Sequence, residues 1–159
     1  MITYIIIGIT VLVSYLCFNN AELFRKLALI PYRTVKNNEW YRLITHGFVH
    51  ADMTHLLVNM FTFWSFGTYI EKVFGYLGFG TWGFLGLYFG GMIFASIYDL
   101  VKHHNDPYYV SIGASGAVSA VLFSYILFDP WSKILLFAII PVPGIIFGVV
   151  YLAYCQYMA

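Results

Sequence analysis

The sequence predicts an all-α membrane protein, a polytopic bundle with five hydrophobic spans. Three observations lead there. Of its 159 residues, 61% are hydrophobic and only 9% charged, where a soluble domain carries about 25% charged residues. Mean hydropathy is +0.78. Five long stretches contain no Asp, Glu, Lys or Arg: Ile2–Asn20, Met53–Ile70, Val73–Tyr98, Pro107–Phe128 and Ile134–Ala159. A spanning helix needs roughly 17–25 apolar residues. Backbone groups in lipid must bond within their own segment, so these stretches read as helices. A β-barrel would alternate over ~10-residue segments instead.

The elements follow in order. Ile2–Phe18 reads as a retained first helix, because no basic n-region and no Ala-x-Ala site accompany it. The loop Asn19–Asp52 mixes Arg25, Lys26, Arg33, Lys36 and Arg42 with Leu, Phe, Trp and Tyr. That mixture predicts a folded, partly membrane-embedded loop. Met53–Ile70 is the second span; Glu71-Lys72 marks its end and Gly75 lies just beyond. Phe79–Tyr98 is the third, with Gly83, Gly86, Gly90 and Gly91 along it. Small residues let membrane helices approach, so Gly86-x-x-x-Gly90 is the expected helix contact. Asp99–Pro107 reads as a short polar loop carrying Lys102, His103, His104, Asn105 and Asp106.

The fourth span opens near Ser115 and stops at Asp129-Pro130. Its about 14 residues make roughly 21 Å of helix, short of the ~30 Å hydrocarbon core. Ser115 is therefore expected below the membrane surface, at the bottom of a wet cavity. Pro141-Val-Pro143-Gly144 breaks any helix after Trp131–Ile140. A fifth helix runs from Ile145 to Ala159 and ends without a polar cap or charged anchor. The expectation is one domain, residues 1–159, shortened at its C-terminus.

Other features narrow the class. A net charge of +1 argues against a nucleic-acid partner, whose phosphates demand clustered cations. Cys17 and Cys155 sit in apolar runs and read as packing residues. Loops one and three carry Arg25, Lys26, Arg33, Lys36, Arg42 and Lys102; loops two and four carry Lys72 and Lys133. That count places the N-terminus outside, unless the first-loop arginines bond within the protein.

The chemistry concentrates at Gly113-Ala114-Ser115-Gly116 and at His55-x-x-x-Asn59. Amide hydrolysis needs a deprotonated nucleophile and a stabilised oxyanion. Glycines around Ser115 permit a sharp turn and close substrate approach. If Ser115 opens a helix, free N–H groups and the helix dipole point at it. His55 and Asn59 share one helix face, and both can donate to an oxyanion. Either motif alone is commonly packing. Polar residues inside spans are costly and tend to be functional, so the pair together points to a site. The histidines are His46, His50, His55, His103 and His104, and none follows Ser115. His103 and His104 lie in the polar loop and read as solvated.

Arg42-Leu-Ile-Thr-His46-Gly-Phe-Val-His50-Ala-Asp-Met-Thr-His55-Leu-Leu-Val-Asn59-Met resembles the start of the rhomboid intramembrane serine protease core. Gly67-x-x-x-Glu71-x-x-x-Gly75 resembles its second helix end, and Ser111-Ile-Gly113-Ala-Ser115-Gly116 its nucleophile motif. Pro141-Val-Pro143 is similar to the stretch before its fifth helix. One departure is small: the family usually has Trp directly before the Arg, where Tyr41 stands here.

The resemblance implies a rhomboid-like bundle of six spans, five of them present, around a water-filled cavity. It implies Ser115 as nucleophile in a Gly113–Gly116 loop, with His55, Asn59 and the Ser115 N–H as oxyanion hole. It implies structural roles for Arg42, Glu71, His46 and His50, transmembrane helices as substrates, and no cofactor or metal. The family places its general-base histidine on a sixth helix, which this chain lacks. The 159 residues alone are therefore expected not to hydrolyse protein. The face around Gly116, Ser119 and Ala120 is expected to meet lipid or a partner in that helix's absence. The expected location is integral and multi-pass in the inner cell membrane.

Two other readings remain. A catalytically inactive rhomboid-like adaptor that binds transmembrane helices would explain the missing base. A metal-binding or transport protein would use His46, His50, His55 and Asp52. The lack of Glu after the first His of His46-x-x-x-His50 argues against a zinc protease.

Overall fold

The computed structural model describes residues 1–136 and 139–158, and the chain is mostly helical. Helix α1 spans Ile2–Phe18. Its buried residues Thr3, Ile6, Thr10, Ser14 and Cys17 recur at helical spacing, so one face packs and the other stays exposed. That packed face is unusually rich in hydroxyls.

The first loop is folded, as its composition predicts. Helix α2 (Ala21–Leu27) starts where the Asn20 side chain accepts the Leu23 N–H. Helix α3 (Pro31–Lys36) starts on a proline, whose missing N–H costs nothing in a first turn. A left-handed Asn38 (φ 59°) turns the chain into α4 (Arg42–Thr45) and a 3-10 turn, His46–Phe48. Asn is among the few residues that tolerate this conformation.

Helices α5 (Met53–Tyr76) and α6 (Gly80–His103) are both 24 residues long. They pack together, and α5 also packs on α1. Fully buried Phe63, Phe84 and Tyr88 fill that layer; Phe63 and Tyr88 rings lie 4.8 Å apart. Both helices outrun their sequence-read ends. Helix α5 continues through Glu71-Lys72 and stops only before Gly78, whose φ of +80° breaks the helix as glycine does at helix ends. Helix α6 continues through Asp99 and Lys102, because nothing there breaks it before His104. His103 is thus helical rather than in a loop.

Helix α7 is Ser115–Phe128, 14 residues. Its small residues face α6. A Cβ built on Gly116 would lie 2.5 Å from Ala95 Cβ, and one on Gly91 would lie 2.4 Å from Ala120 Cβ. Gly91, Ala95, Gly116 and Ala120 thus interlock two helices, as small residues do. This corrects two expectations. Gly86 and Gly90 have nothing within 4 Å of a built Cβ, so they are not the contact. Of the Gly116, Ser119 and Ala120 face, Gly116 and Ala120 pack on α6 instead of meeting lipid.

Residues 1–121 and 122–159 form two compact units. In the second, β1 (Lys133–Leu136) pairs antiparallel with β2 (Ile140–Pro143), Lys133 opposite Pro143. This hairpin corrects the all-α reading. Two prolines exclude helix from β2, yet a two-stranded ribbon has only edges, where proline is tolerated. Helix α8 (Gly144–Met158) follows; the Cys155 side chain lies outside the described residues. Among the described residues, α6 is the helix long and apolar enough to cross a membrane; α1, α7 and Gly144–Ala153 are shorter apolar helices.

Candidate active site

Gly113 adopts φ +106°, a conformation closed to most side chains. A Cβ there would lie 2.9 Å from His55 Cε1. The glycine therefore lets the turn before α7 close onto the His55 ring. Ser115 follows as the first residue of α7 and is exposed. Ala114 occupies the cap position, since its carbonyl accepts the Val118 N–H. A methyl side chain cannot accept a hydrogen bond. The first N–H groups of α7 thus have no side-chain acceptor at their cap.

Helix α5 begins beside this turn. Asp52 caps it, its carboxylate accepting the His55 N–H at 2.8 Å. His55 lies in the first turn and Asn59 one turn further, buried, with Nδ2–H donated to the His55 carbonyl at 3.0 Å. That bond uses one of two amide hydrogens. Two helix N-termini, each carrying roughly +0.5 charge, therefore meet where His55 touches Gly113.

The first loop holds the turn from behind. The His46 carbonyl accepts the Gly113 N–H at 3.0 Å. Leu29 and Ser111 exchange two backbone bonds, at 2.9 and 3.0 Å. His50 is fully buried and links α1 to α7. Ser14 donates its hydroxyl to the Phe48 carbonyl at 2.8 Å, so His50 Nδ1–H must donate to Ser14 Oγ, 2.9 Å away. His50 Nε2 is then an acceptor, and it takes the Ala114 N–H at 3.5 Å. The imidazole is thereby fixed neutral. Burial above all, then the neighbouring His55, pushes its pKa down to about 4, with Asp52 opposing. Burial likewise lowers His46, against its bond to the Arg42 carbonyl and the Asp99 charge.

Arg42 is fully buried. It donates to Glu39 and to the Arg25 and Ala28 carbonyls, stitching the first loop to itself. Burial alone would raise the Glu39 carboxyl; hydrogen bonds and charge from Arg42 and Arg33 hold it below its usual range. Glu71 stands apart, about 24 Å along α5 from His55 at ~1.5 Å per residue. It accepts the Ile2 and Thr3 N–H groups and the Thr3 hydroxyl, capping the start of α1 from another helix.

Among the described residues, no three His, Cys, Asp or Glu side chains are grouped to hold a metal ion. His50 spends both nitrogens on Ser14 and Ala114, so it has no lone pair for a metal. Sequence reasoning missed Ser14, whose only signal was a hydroxyl in register with Thr3 and Thr10 on α1. It also missed Asp99 and Tyr109, taken up below.

The turn before α7 thus presents an exposed serine at an open helix start, braced by histidines from the neighbouring loop. Residues 37–159 match the Rhomboid domain, and the chain belongs to the rhomboid family. It is 29% identical over 154 residues to RHOMBOID-like protein 12, mitochondrial, of Arabidopsis thaliana, covering 87% of this chain and 44% of the relative. It is 31% identical over 125 residues to rhomboid protease GluP of Bacillus subtilis, covering 76% and 23%. It is 37% identical over 107 residues to Rhomboid protein 1, mitochondrial, of Saccharomyces cerevisiae, covering 64% and 29%. The chain spans less than half the length of these relatives.

Proposed function

We propose that this chain is the core of an intramembrane serine endopeptidase that cleaves transmembrane helices. Ser115 Oγ attacks the scissile carbonyl. The oxyanion accepts hydrogen bonds from the Ser115 N–H, His55 and the spare Asn59 amide hydrogen. No cofactor takes part. The observation that carries this reading is the His55 ring seated against Gly113, where two helix N-termini meet at an uncapped serine. Such a place favours developing negative charge and costs no reorganisation when the charge appears. Arg42, His46 and His50 act as supports of the turn, and Glu71 locks α1 to α5.

On this reading the protein is a multi-pass inner-membrane bundle of six spans, and residues 1–159 supply five. None of the histidines in residues 1–159 is assigned as general base; all precede Ser115, and His50 has no free nitrogen. We therefore expect negligible hydrolysis by residues 1–159 alone. The alternative reading is an inactive adaptor that binds transmembrane helices.

The test uses protein purified from its native membrane, with its intact mass measured, and reconstituted with a transmembrane substrate containing a helix-breaking residue. Cleavage that Ser115→Ala lowers by about 10³-fold or more supports the protease. Capture of that helix without cleavage supports the adaptor.

A further inference from the structure

Three residues recur at i, i+3 and i+7 on the last two turns of α6: Ser96, Asp99 and His103. Such spacing puts them on one helix face. Each grips a segment that builds the turn before Ser115. Ser96 Oγ lies 3.3 Å from His46 Nε2, and His46 holds Gly113 through its carbonyl. Asp99 accepts the Tyr109 hydroxyl at 2.9 Å. The His103 ring stacks flat on the Tyr109 ring, centroids 3.6 Å apart and planes within 2°. Tyr109 stands two residues before Ser111, which pairs with Leu29.

We infer that Asp99 and Tyr109, with His103 stacked behind, are positioning residues that set the register of the Tyr109–Ala114 segment and hence the aim of Ser115. The inference rests on the protease reading for its catalytic consequence only. Physically, the segment has few holds. It is held at Tyr109 by α6, at Ser111 by the first loop, at Gly113 by His46 and at Ala114 by His50. Three of these are backbone bonds or a single imidazole contact. The Tyr109 hold is the one that ties the segment to the end of α6 by a side chain gripped on two sides. Burial and the bond to Asp99 push the Tyr109 hydroxyl up to about 12, so it remains a donor at any physiological pH. A small displacement of a nucleophile costs far more in rate than in stability, so the hold should be legible in turnover.

The experiment compares Tyr109→Phe, Asp99→Ala and Asp99→Asn with Tyr108→Phe, a control at an exposed neighbour, all as full native chains. Amide hydrogen exchange and substrate kinetics are both read. Tyr109→Phe and Asp99→Ala are expected to speed exchange of the hydrogen-bonded Ser111, Gly113 and Ala114 amides by about tenfold while the α5 and α6 cores stay protected. They are expected to lower kcat by about tenfold with KM within about twofold. Asp99→Asn still accepts the hydroxyl and is expected to restore both. Unchanged exchange in Tyr109→Phe and Asp99→Ala would overturn the inference, as would faster exchange spread across the whole fold. If the wild-type protein shows no Ser115-dependent cleavage, the protease reading falls, and exchange alone still decides the hold.

Discussion

Helices α5 and α7 both begin at the site, and they begin differently. Helix α5 has Asp52 at its cap, and the carboxylate consumes the His55 N–H. Helix α7 has Ala114, which can consume nothing. Just upstream, the Gly113 and Ala114 N–H groups are taken by His46 and His50. The two N–H donors immediately before Ser115 are thus tied down, and those that open α7 have no side-chain cap. The contrast separates a post from a socket. The capped helix holds His55 and Asn59 in place. The uncapped one keeps positive potential and free donors for an incoming group.

The largest expected effect comes from closing the gap between the two helices. Gly113→Ala asks an L residue to adopt φ +106° and puts a methyl against the His55 ring. Backbone strain of this kind costs of order 1–3 kcal/mol, and relieving it must rotate the turn that aims Ser115. Cleavage is expected to fall by about 10²-fold or more, as for misplacement of a reacting group, with a lowered melting temperature. Wild-type turnover in Gly113→Ala would break the idea that this turn is built around His55.

The next effect is on pH. His50 drops from an ordinary value of 6.5 to about 4 on folding, and burial lowers His46 as well. The unfolded chain then binds protons that the folded chain refuses, so stability rises with pH across that window. It is fully present above about pH 6.5 and is lost as pH falls toward about 4. Thermal melts between those limits are expected to decline steadily. His50→Gln is expected to lower the melt at neutral pH and flatten the decline. A slope unchanged by that substitution would remove His50 from the account.

Ala114→Ser sharpens the contrast from the other side. A serine at this cap can accept the Gly116 or Ala117 N–H, which typically stabilises a helix by about 1 kcal/mol. It also spends the donors and part of the dipole that the open end offers. The expected outcome is a higher melting temperature with cleavage about tenfold slower. Faster cleavage would mean the open cap is incidental.

Much of this was legible in the sequence, and the gaps have physical reasons. The α7 start at Ser115 was readable because Gly113 and Gly116 bracket it and an apolar run follows. The folded first loop was readable from aromatic residues mixed with cations. Charged residues read as helix ends in the sequence, yet α5 and α6 run through theirs. Lys102 instead bonds the Tyr98 hydroxyl at 2.6 Å one turn back, so the helix keeps it. The small-residue contact was placed at Gly86 and Gly90 rather than Gly91, since sequence spacing gives a stripe but not the side it faces. The hairpin escaped because an apolar run between prolines reads equally as strand or broken helix. Ser14, Asp99 and Tyr109 escaped because their partners lie on other elements, and no period in one element reports a bond to another.

The smallest expected effect tests the post. Asp52→Ala removes the carboxylate that accepts the His55 N–H, and N-cap losses of this kind cost about 1 kcal/mol. The loss falls in the first turn of α5, while Asn59 is one turn further in and Leu56, Met60 and Phe63 stay buried. The helix should therefore remain, with a frayed start at His55. Cleavage is expected to drop by only a few-fold, because the His55 ring is still wedged between Gly113 and the His50 ring 4.9 Å away. Asp52→Asn can accept the same bond and should recover most of the stability. If Asp52→Ala instead matched Gly113→Ala in severity, the His55 position would depend on its cap and not on its packing. The post would then be no firmer than the socket, and the distinction between the two helix starts would fail.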